Sequence, residues 1–241
     1  MDARRNVLIV LSGGLGKRMG RSVPKMLIPV SGKPLLYWTL KNLEGCRAFG
    51  SIVLVVPPSH RGVFKAKLDR WRFRKVEAVV DGGKERTDST RNAYRILSKN
   101  FECVGVHDAA RPFVDRDLVD RCFSEAARHG SAVLAVPSKD TIKVARPSKK
   151  GSAALIQETI SRQRCWAAQT PQVFRRDWAE KMYSSRALDG KEKALFTDDA
   201  SIAERLGLKA RIVPGSYDNI KVTTPDDLVA AEAILKRGRF R

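Results

Sequence analysis

The sequence predicts an α/β fold in which a mainly parallel, twisted β-sheet carries helices on both faces. Short β-branched runs alternate with amphipathic helical patterns, which is typical of βαβ units with right-handed crossovers. The 241 residues include 43% hydrophobic residues, enough for one domain with a substantial core. Since the sequence has no internal repeat and no Pro/Gly/Ser-rich linker, we predict a single domain, residues 1–241.

The spacing of hydrophobic residues and the positions of helix-capping residues predict where the strands and helices of this fold lie. Strands are predicted at 7–11, 52–56, 76–80, 103–107, 132–136 and 210–213. Helices are predicted at 34–43, near 89–97, and at 117–129, 198–206 and 225–235. The last helix has Thr224 as its N-cap and Pro225 at its first position.

One segment departs from the βαβ rhythm. Two short strand-like pieces, 141–144 and 153–159, flank the polar turn 147–152 where a helical crossover would be expected. This pattern indicates a β-hairpin arm that projects from the domain at about residues 139–165.

The composition restricts the partners of the protein. With 46 Lys+Arg against 26 Asp+Glu, the formal net charge is +20, which favours phosphorylated metabolites, nucleic acid or acidic membrane surfaces without choosing among them. The basic stretch 60–75 has interleaved aromatic residues and could bind nucleic acid, but we interpret it as the solvated face of an amphipathic helix. The apolar run 7–11 is too short for a signal peptide or a membrane span. Reduced, mainly buried thiols of a cytoplasmic protein are expected at the widely spaced Cys46, Cys103, Cys122 and Cys165.

A glycine-rich loop follows the first predicted strand. Backbone N–H groups in such a loop can approach phosphate oxygens, because glycine lacks a Cβ and can adopt positive φ. The Walker A pattern fails because Arg18 follows Lys17, and the dinucleotide fingerprint fails because Met19 replaces its third glycine. Arg18 and Lys25 could neutralise charge that moves onto the α-phosphate and the departing pyrophosphate. The alternative is an ordinary βα turn with two solvated cations.

A second loop, residues 81–89, lies between a predicted strand and a predicted helix. Gly83 and Ser89 could contact a base or a phosphate near the helix N-terminus. The alternative is an ordinary loop in which Asp88 or Ser89 is the N-cap of the helix.

A third loop, residues 107–112, follows a buried strand at the carboxyl edge, where open α/β sheets place their ligands. Asp108 could bind Mg²⁺ or a ribose or polyol hydroxyl, and Arg111 could hold a second phosphate. The alternative is a loop-stabilising ion pair between these two residues. His107 is interpreted as a structural hydrogen-bonding residue rather than a base.

Further candidates lie in the arm and in the C-terminal third. Lys221 stands between apolar residues on a predicted short strand, where a lysine generally has an anionic partner. Thr141 opens the arm and Arg162 lies near its return, although arm residues are often solvated. The segment 197–200, Thr-Asp-Asp-Ala, is interpreted as a helix cap rather than a metal site.

Taken together, these motifs resemble the 2-C-methyl-D-erythritol 4-phosphate cytidylyltransferase family of the non-mevalonate isoprenoid pathway. Each motif is modestly specific, whereas the ordered set, from about residue 7 to residue 235, is highly specific. The matching signatures are G-G-x-G-x-R-M…P-K, D-G-G-x-E-R-x-D-S, V-H-D-A-A-R-P, P-S-K-D-T-I-K, A-A-Q-T-P-Q-V-F, T-D-D-A-S and D-N-I-K-V-T-x-P-D-D-L.

The resemblance implies a Rossmann-like nucleotidyltransferase fold, a homodimer joined by the arm, and transfer of CMP from CTP to methylerythritol phosphate. It implies Mg²⁺ held mainly by the CTP phosphates, with Asp108 as a candidate ligand. The implied catalytic residues are Arg18, Lys25 and Lys221. The implied CTP contacts are Ser12, Gly13, Gly14, Leu15, Gly16, Gly83, Ser89, Asp108 and Ala109. The implied acceptor contacts are Asp108, Arg111, Thr141, Lys221 and Arg162, the last reaching across from the partner subunit.

The sequence departs from the family pattern at three places. Ser12-Gly13-Gly14 replaces the usual A-A-G, Met26 replaces the usual glutamine, and residues 161–164, Ser-Arg-Gln-Arg, replace D-R-N-G. These changes leave open the choice of base and whether Arg162 or Arg164 is the arm arginine. The alternative functions are a ribitol 5-phosphate cytidylyltransferase and a catalytically inactive, basic nucleic-acid-binding relative. We expect neither a membrane nor nucleic acid as a partner.

Overall fold

The computed structural model describes residues 2–13, 24–146, 153–189, 195–238 and 240. Its helices are α1 (Leu35–Glu44), α2 (Arg61–Trp71), α3 (Arg86–Arg95), α4 (Arg116–His129), α5 (Arg176–Tyr183), α6 (Asp199–Arg205) and α7 (Pro225–Lys236). Its strands are β1 (Val7–Leu11), β2 (Pro29–Val30), β3 (Lys33–Pro34), β4 (Ser51–Val56), β5 (Val76–Asp81), β6 (Cys103–Asp108), β7 (Ser131–Pro137), β8 (Lys143–Ala145), β9 (Ile156–Thr159), β10 (Trp166–Arg175) and β11 (Ile212–Pro214).

The main sheet has seven strands in the order β11-β7-β10-β6-β1-β4-β5. β1 pairs in parallel with both β4 and β6, β5 is parallel to β4, and β11 is parallel to β7. β10 runs antiparallel to β6 and β7, so the sheet is mainly parallel, as predicted. The carboxyl ends of β1 and β6 meet at one edge, because Leu11 lies opposite Asp108.

Two hydrophobic clusters cover the two faces of this sheet. Along β1, Leu8 and Val10 belong to one cluster and Ile9 to the other, since successive strand side chains point to opposite faces. The first cluster contains residues of α1, α2, α4 and α7, and the second contains residues of α3, α5 and α6. The prediction of helices on both faces is therefore confirmed.

Most predicted elements are present, with boundaries shifted by a few residues. The two-residue strands β2 and β3 were not predicted, and neither were the longer elements β10 and α5. The apolar pattern of β10 is interrupted by Gln169, Thr170 and Gln172, its pairing with β7 is irregular between Ala168 and Gln172, and the Thr170–Pro171 peptide is cis. These three polar side chains are buried, so β10 resembles a loop in sequence while lying inside the sheet.

The caps of three helices test the sequence interpretation. Asp198 is the N-cap of α6 and Thr224 that of α7, as predicted. The N-cap of α3 is Glu85, which forms a capping box with Asp88 at the third helical position. The alternative that Asp88 or Ser89 caps this helix is therefore wrong, because α3 begins at Arg86.

The predicted arm is a β-hairpin in which β8 and β9 form a separate antiparallel sheet, with Lys143 opposite Thr159. Every residue of both strands is exposed. The predicted turn 147–152 lies outside the described residues. The assignment of residues 1–241 to a single domain stays a prediction.

The four cysteines are free, and Cys46, Cys103 and Cys122 are buried while Cys165 is partly exposed. Burial raises the pKa of each buried thiol to about 12, which makes these thiols poor nucleophiles. This confirms the interpretation of unpaired, mainly buried thiols. Within the described part of the chain, no helix has the length and apolar character needed to cross a membrane.

Candidate active site

A pocket of about 320 Å³ opens at the carboxyl edge of the sheet, where the segments that follow β1, β5 and β6 meet. Seven of the residues predicted from the sequence line it: Ser12, Gly13, Lys25, Gly83, Ser89, Asp108 and Lys221. Predicted residues Gly14, Leu15, Gly16 and Arg18 lie outside the described residues. The structure thus brings together residues that are up to 209 positions apart in sequence.

The first wall of the pocket is the segment after β1. The Ser12 N–H donates to the Val55 carbonyl at 2.8 Å, which extends the pairing with β4 by one residue. The Ser12 hydroxyl is buried and has no hydrogen-bond partner among the described residues. Lys25 opens a short 3₁₀ turn whose next residue, Met26, is buried. The buried Met26 therefore fixes the backbone from which Lys25 extends.

The second wall is the loop between β5 and α3. The Ser89 hydroxyl accepts a hydrogen bond from the Gly83 N–H at 3.0 Å and donates to the Glu85 carbonyl at 3.1 Å. A Cβ on Gly83 would overlap the side chain of Asp88, so only glycine fits here. Ser89 and Gly83 thus shape this loop in addition to lining the pocket.

Asp108 is the last residue of β6, and its negatively charged carboxylate lines the pocket. Its Oδ2 lies 2.6 Å from the Lys221 Nζ, and its Oδ1 lies 3.6 Å from the Arg86 Nη2. Burial would raise the pKa of Asp108, but Arg86, Lys221 and Arg111 together lower it to about 2. The anionic partner predicted for Lys221 is confirmed, although Lys221 lies outside any strand, contrary to the prediction.

Arg86 is a pocket residue that was not among the predicted site residues. It is the first residue of α3, and its guanidinium lies between Asp108 and the fully buried Asp199 of α6. Burial lowers the pKa of Arg86, but Asp199 and Asp108 raise it above its ordinary value. The only sequence signal for this residue was its place within the D-G-G-x-E-R-x-D-S motif.

Arg111 and Ala109 do not line the pocket. Arg111 donates to the carbonyls of Asn219 at 2.8 Å and Ala168 at 3.3 Å. Among the described residues, the ion pairs of Asp108 are those with Arg86 and Lys221, so the alternative of an Asp108–Arg111 pair is not formed.

Ala109 is fully buried, and both of its backbone groups are used within the fold. Its N–H donates to the Leu11 carbonyl at 3.0 Å, and its carbonyl accepts from the Thr39 hydroxyl at 2.6 Å. The alanine on the pocket wall is the next residue, Ala110.

His107 has the structural role expected from the sequence. It is fully buried, its Nε2 lies 3.0 Å from the Arg111 carbonyl, and its Nδ1 lies 3.1 Å from the Thr170 hydroxyl. Burial lowers the pKa of His107 to about 4. The ring is therefore neutral at ordinary pH and joins β6 to β10.

The arm residues stand apart from this pocket. Thr141, Arg162 and Arg164 are exposed, and the two arginines bound a short 3₁₀ turn before β10. The pocket of the same chain is not lined by Thr141 or by either arginine. The structure of one chain therefore does not choose between Arg162 and Arg164.

The basic stretch 60–75 contains α2, which buries Phe64. Trp71 and Phe73 pack on Tyr37 with ring centroids 5.5 and 5.6 Å apart, against the core. This confirms the interpretation of an amphipathic helix whose aromatic residues belong to the core.

No group of three or more His, Cys, Asp and Glu side chains in the described ranges is arranged to hold a metal ion. Asp198 caps α6, and Asp199 binds Arg86 and Tyr183. The prediction that the segment 197–200 caps a helix is therefore confirmed.

Glycine-containing loops, four cationic side chains and two carboxylates line a pocket at the ligand-binding edge of a mainly parallel α/β sheet. Together, this fold and this site fit a nucleotidyltransferase. A sequence profile of the family "2-C-methyl-D-erythritol 4-phosphate cytidylyltransferase" (IspD) matches residues 6–237. The chain belongs to this family of enzymes, which confirms the resemblance seen in the sequence.

Individual relatives agree along nearly the whole chain. The 2-C-methyl-D-erythritol 4-phosphate cytidylyltransferase of Syntrophus aciditrophicus is 40% identical over 236 residues, covering 98% of this chain and 97% of the relative. The protein of the same name from Geobacillus thermodenitrificans is 43% identical over 227 residues, covering 94% and 95%. The crystal structure of 4-diphosphocytidyl-2C-methyl-D-erythritol synthase from Anaerococcus prevotii matches with a TM-score of 0.81 at 28% identity, covering 98% of both chains.

Proposed function

We propose that this chain transfers CMP from CTP to 2-C-methyl-D-erythritol 4-phosphate, in the synthesis of isoprenoid precursors. The products are 4-diphosphocytidyl-2-C-methyl-D-erythritol and pyrophosphate. The names of relatives that are about 40% identical over nearly the full chain support this assignment. The structural observation that carries it is the pocket that Lys25 lines and in which Arg86 and Lys221 flank the carboxylate of Asp108.

In the proposed reaction, an oxygen of the acceptor 4-phosphate attacks the α-phosphorus of CTP. A new P–O bond forms there, and the bond from the α-phosphorus to the bridging oxygen breaks, so that pyrophosphate leaves with the electron pair. A phosphate monoester is already ionised near neutral pH, so the reaction requires no general base. Catalysis then rests on positioning and on electrostatic stabilisation of the developing charge.

The pocket residues suit these two tasks. Lys25 supplies positive charge beside the glycine-containing loop, where we place the triphosphate; Arg18, outside the described residues, is proposed as its partner. Asp108 is ionised at ordinary pH and can accept hydrogen bonds from polyol hydroxyls. Lys221, held by Asp108 and 44% exposed, can bind the acceptor phosphate.

We also propose Mg²⁺ as the metal of this reaction. Both carboxylate oxygens of Asp108 lie close to cations, and the carboxylate of Glu85 caps α3. These residues fit an ion held mainly by the triphosphate, with Asp108 as the candidate protein ligand, rather than one enclosed by the protein. When bound, the ion would neutralise phosphate charge.

The arm supports a homodimer. It exposes four large apolar side chains, Ile142, Val144, Leu155 and Ile156. The exposed fractions of Leu155 and Ile156 are 72% and 63%. An apolar surface of this kind on a projecting hairpin fits a second copy of the chain. In such a dimer, Thr141 and Arg162 are proposed to reach the pocket of the partner. The free thiols are in keeping with a cytoplasmic enzyme.

Pyrophosphate release tests the proposal. The purified chain is incubated with CTP, Mg²⁺ and either 2-C-methyl-D-erythritol 4-phosphate or ribitol 5-phosphate, and we expect release with the former. If pyrophosphate is released only with ribitol 5-phosphate, the acceptor is ribitol 5-phosphate and not the methylerythritol phosphate. If pyrophosphate is released with neither acceptor, both enzyme assignments are wrong. Salt-sensitive retention on DNA would then support a nucleic-acid-binding relative. Competition of CTP with UTP and ATP tests the base preference of the unusual Ser12-Gly13-Gly14 segment.

A further inference from the structure

The guanidinium of Arg86 bridges two carboxylates that belong to different parts of the fold. Its Nη1 donates to the Asp199 Oδ2 at 2.6 Å, and its Nη2 lies 3.6 Å from the Asp108 Oδ1. Asp199 has no solvent exposure, whereas Asp108 lies at the pocket. Nη2 is buried and has no hydrogen-bond partner among the described residues, so its remaining interaction is with the carboxylate of Asp108.

The buried end of this bridge is rigidly held. The Asp199 Oδ1 accepts a hydrogen bond from the Tyr183 hydroxyl at 3.0 Å, and Tyr183 is itself buried. The start of α6 is also tied to β10, because Gln172 donates to Asp198 at 2.7 Å and accepts from the Ala200 N–H at 2.9 Å. A buried carboxylate requires a cation, so Asp199 fixes the position of Arg86.

The pocket end of the bridge continues to Lys221. The Asp108 Oδ2 holds the Lys221 Nζ at 2.6 Å, while Arg86 faces Oδ1, so the carboxylate has one cation on each oxygen. Two further groups face Asp108, the guanidinium of Arg111 and the neutral ring of His107. Asp199, Arg86, Asp108 and Lys221 thus form a continuous row of alternating charge from the interior to the pocket.

We propose that Arg86 is a positioning residue that is anchored on Asp199 and fixes Asp108, and through Asp108 the amine of Lys221, for binding of the acceptor. This inference rests on the proposed function, in which Asp108 and Lys221 bind the acceptor. It differs from a purely structural role, in which Arg86 only neutralises Asp199. It differs also from direct binding of the triphosphate by Arg86.

The first test compares Arg86→Gln with the double variant Arg86→Gln/Asp199→Asn. The single variant leaves Asp199 buried without a cation and can lose stability for that reason alone. The double variant removes both charges. The amide oxygen introduced at position 199 can still accept the hydrogen bond from the Tyr183 hydroxyl. We expect the double variant to fold, with the KM for the acceptor raised at least about tenfold and the KM for CTP within about twofold of wild type.

Arg175→Gln is the matched control. Arg175 forms a two-point ion pair with Asp177 at 2.7 and 2.8 Å. It lies opposite Cys103, at the end of β6 away from Asp108. Its loss should leave both KM values within about twofold of wild type.

Two kinetic outcomes would overturn the inference. If the double variant has wild-type kinetics, Arg86 serves only to neutralise Asp199. If the KM for CTP rises and that for the acceptor does not, Arg86 binds the nucleotide directly.

A second measurement does not depend on turnover. The carboxyl ¹³C signal of Asp108, assigned by its loss in Asp108→Asn, is titrated in wild type and in the double variant. We expect the pKa of Asp108 to rise in the double variant, because Arg86 is the largest of the charges that lower it. An unchanged pKa would overturn the coupling of Arg86 to Asp108. If wild type releases no pyrophosphate with any acceptor, the proposed function fails, and the titration still decides whether this coupling exists.

Discussion

Protonation of His107 should make the stability of the protein fall between pH 7 and pH 5. Burial lowers the pKa of His107 from 6.5 to about 4. In this window the unfolded chain binds a proton at this residue and the folded chain does not, so the free energy of unfolding decreases as the pH falls. The difference in pKa corresponds to about 3 kcal/mol in total, of which about 2 kcal/mol is lost between pH 7 and pH 5.

The hydrogen bonds of His107 are those of a neutral ring. The Thr170 hydroxyl accepts a hydrogen bond from the Asp108 N–H at 3.0 Å, which leaves its own proton to donate to the Nδ1 of His107. Nε2–H then donates to the Arg111 carbonyl. A neutral ring satisfies both partners, whereas a protonated ring would direct a second donor at Thr170.

Urea unfolding of wild type and His107→Gln at pH 5, 6, 7 and 8 measures this effect. Glutamine can form hydrogen bonds but does not titrate, so charge repulsion elsewhere in the chain changes equally in both proteins. Wild type should lose about 2 kcal/mol more than the variant between pH 7 and pH 5. Parallel pH profiles would refute the reasoning. Asp108 hardly contributes in this range, since its pKa is about 2 in the folded chain and 3.8 is its ordinary value.

Three further substitutions test other parts of the structure. Lys25→Ala should lower kcat about a hundredfold or more with an unchanged melting temperature. Near-normal turnover would contradict the proposal that Lys25 stabilises the charge of the transition state. Ile156→Asp should convert the proposed dimer to a monomer in light scattering after size exclusion, whereas a dimeric mass of the variant would exclude the arm as the interface. Thr224→Ala should cost about 1 kcal/mol by removing the capping box of α7, while Thr224→Ser serves as the control; equal stability of both would contradict this role of the hydroxyl.

Much of the fold could be predicted because its strands are continuous apolar runs. β4 and β6 are buried along their whole lengths, which is typical of strands covered by helices on both faces. β10 could not be predicted in the same way, because Gln169 and Gln172 are satisfied by partners distant in sequence. Gln169 donates to the Ser216 carbonyl, and Gln172 bonds the start of α6.

The site was predictable where a charged residue directly follows a buried strand. This is true of Asp108, and the expectation that Lys221 needs an anion proved correct. Arg86 escaped prediction because an arginine in the first turn of a helix is normally solvated, and its anchor, Asp199, is 113 residues away. Arg111 was predicted to bind either a phosphate or Asp108, but it donates to two carbonyls that only the folded chain brings within reach.

The cysteine distribution has a practical consequence. Since Cys46, Cys103 and Cys122 are buried with raised pKa values, a thiol-reactive spin label applied to the native protein should attach at Cys165. Cys165 lies where the arm returns to the sheet, immediately before β10. In the proposed dimer, distances between two such labels would report on the arrangement of the two arms as substrates are added, without any engineered cysteine.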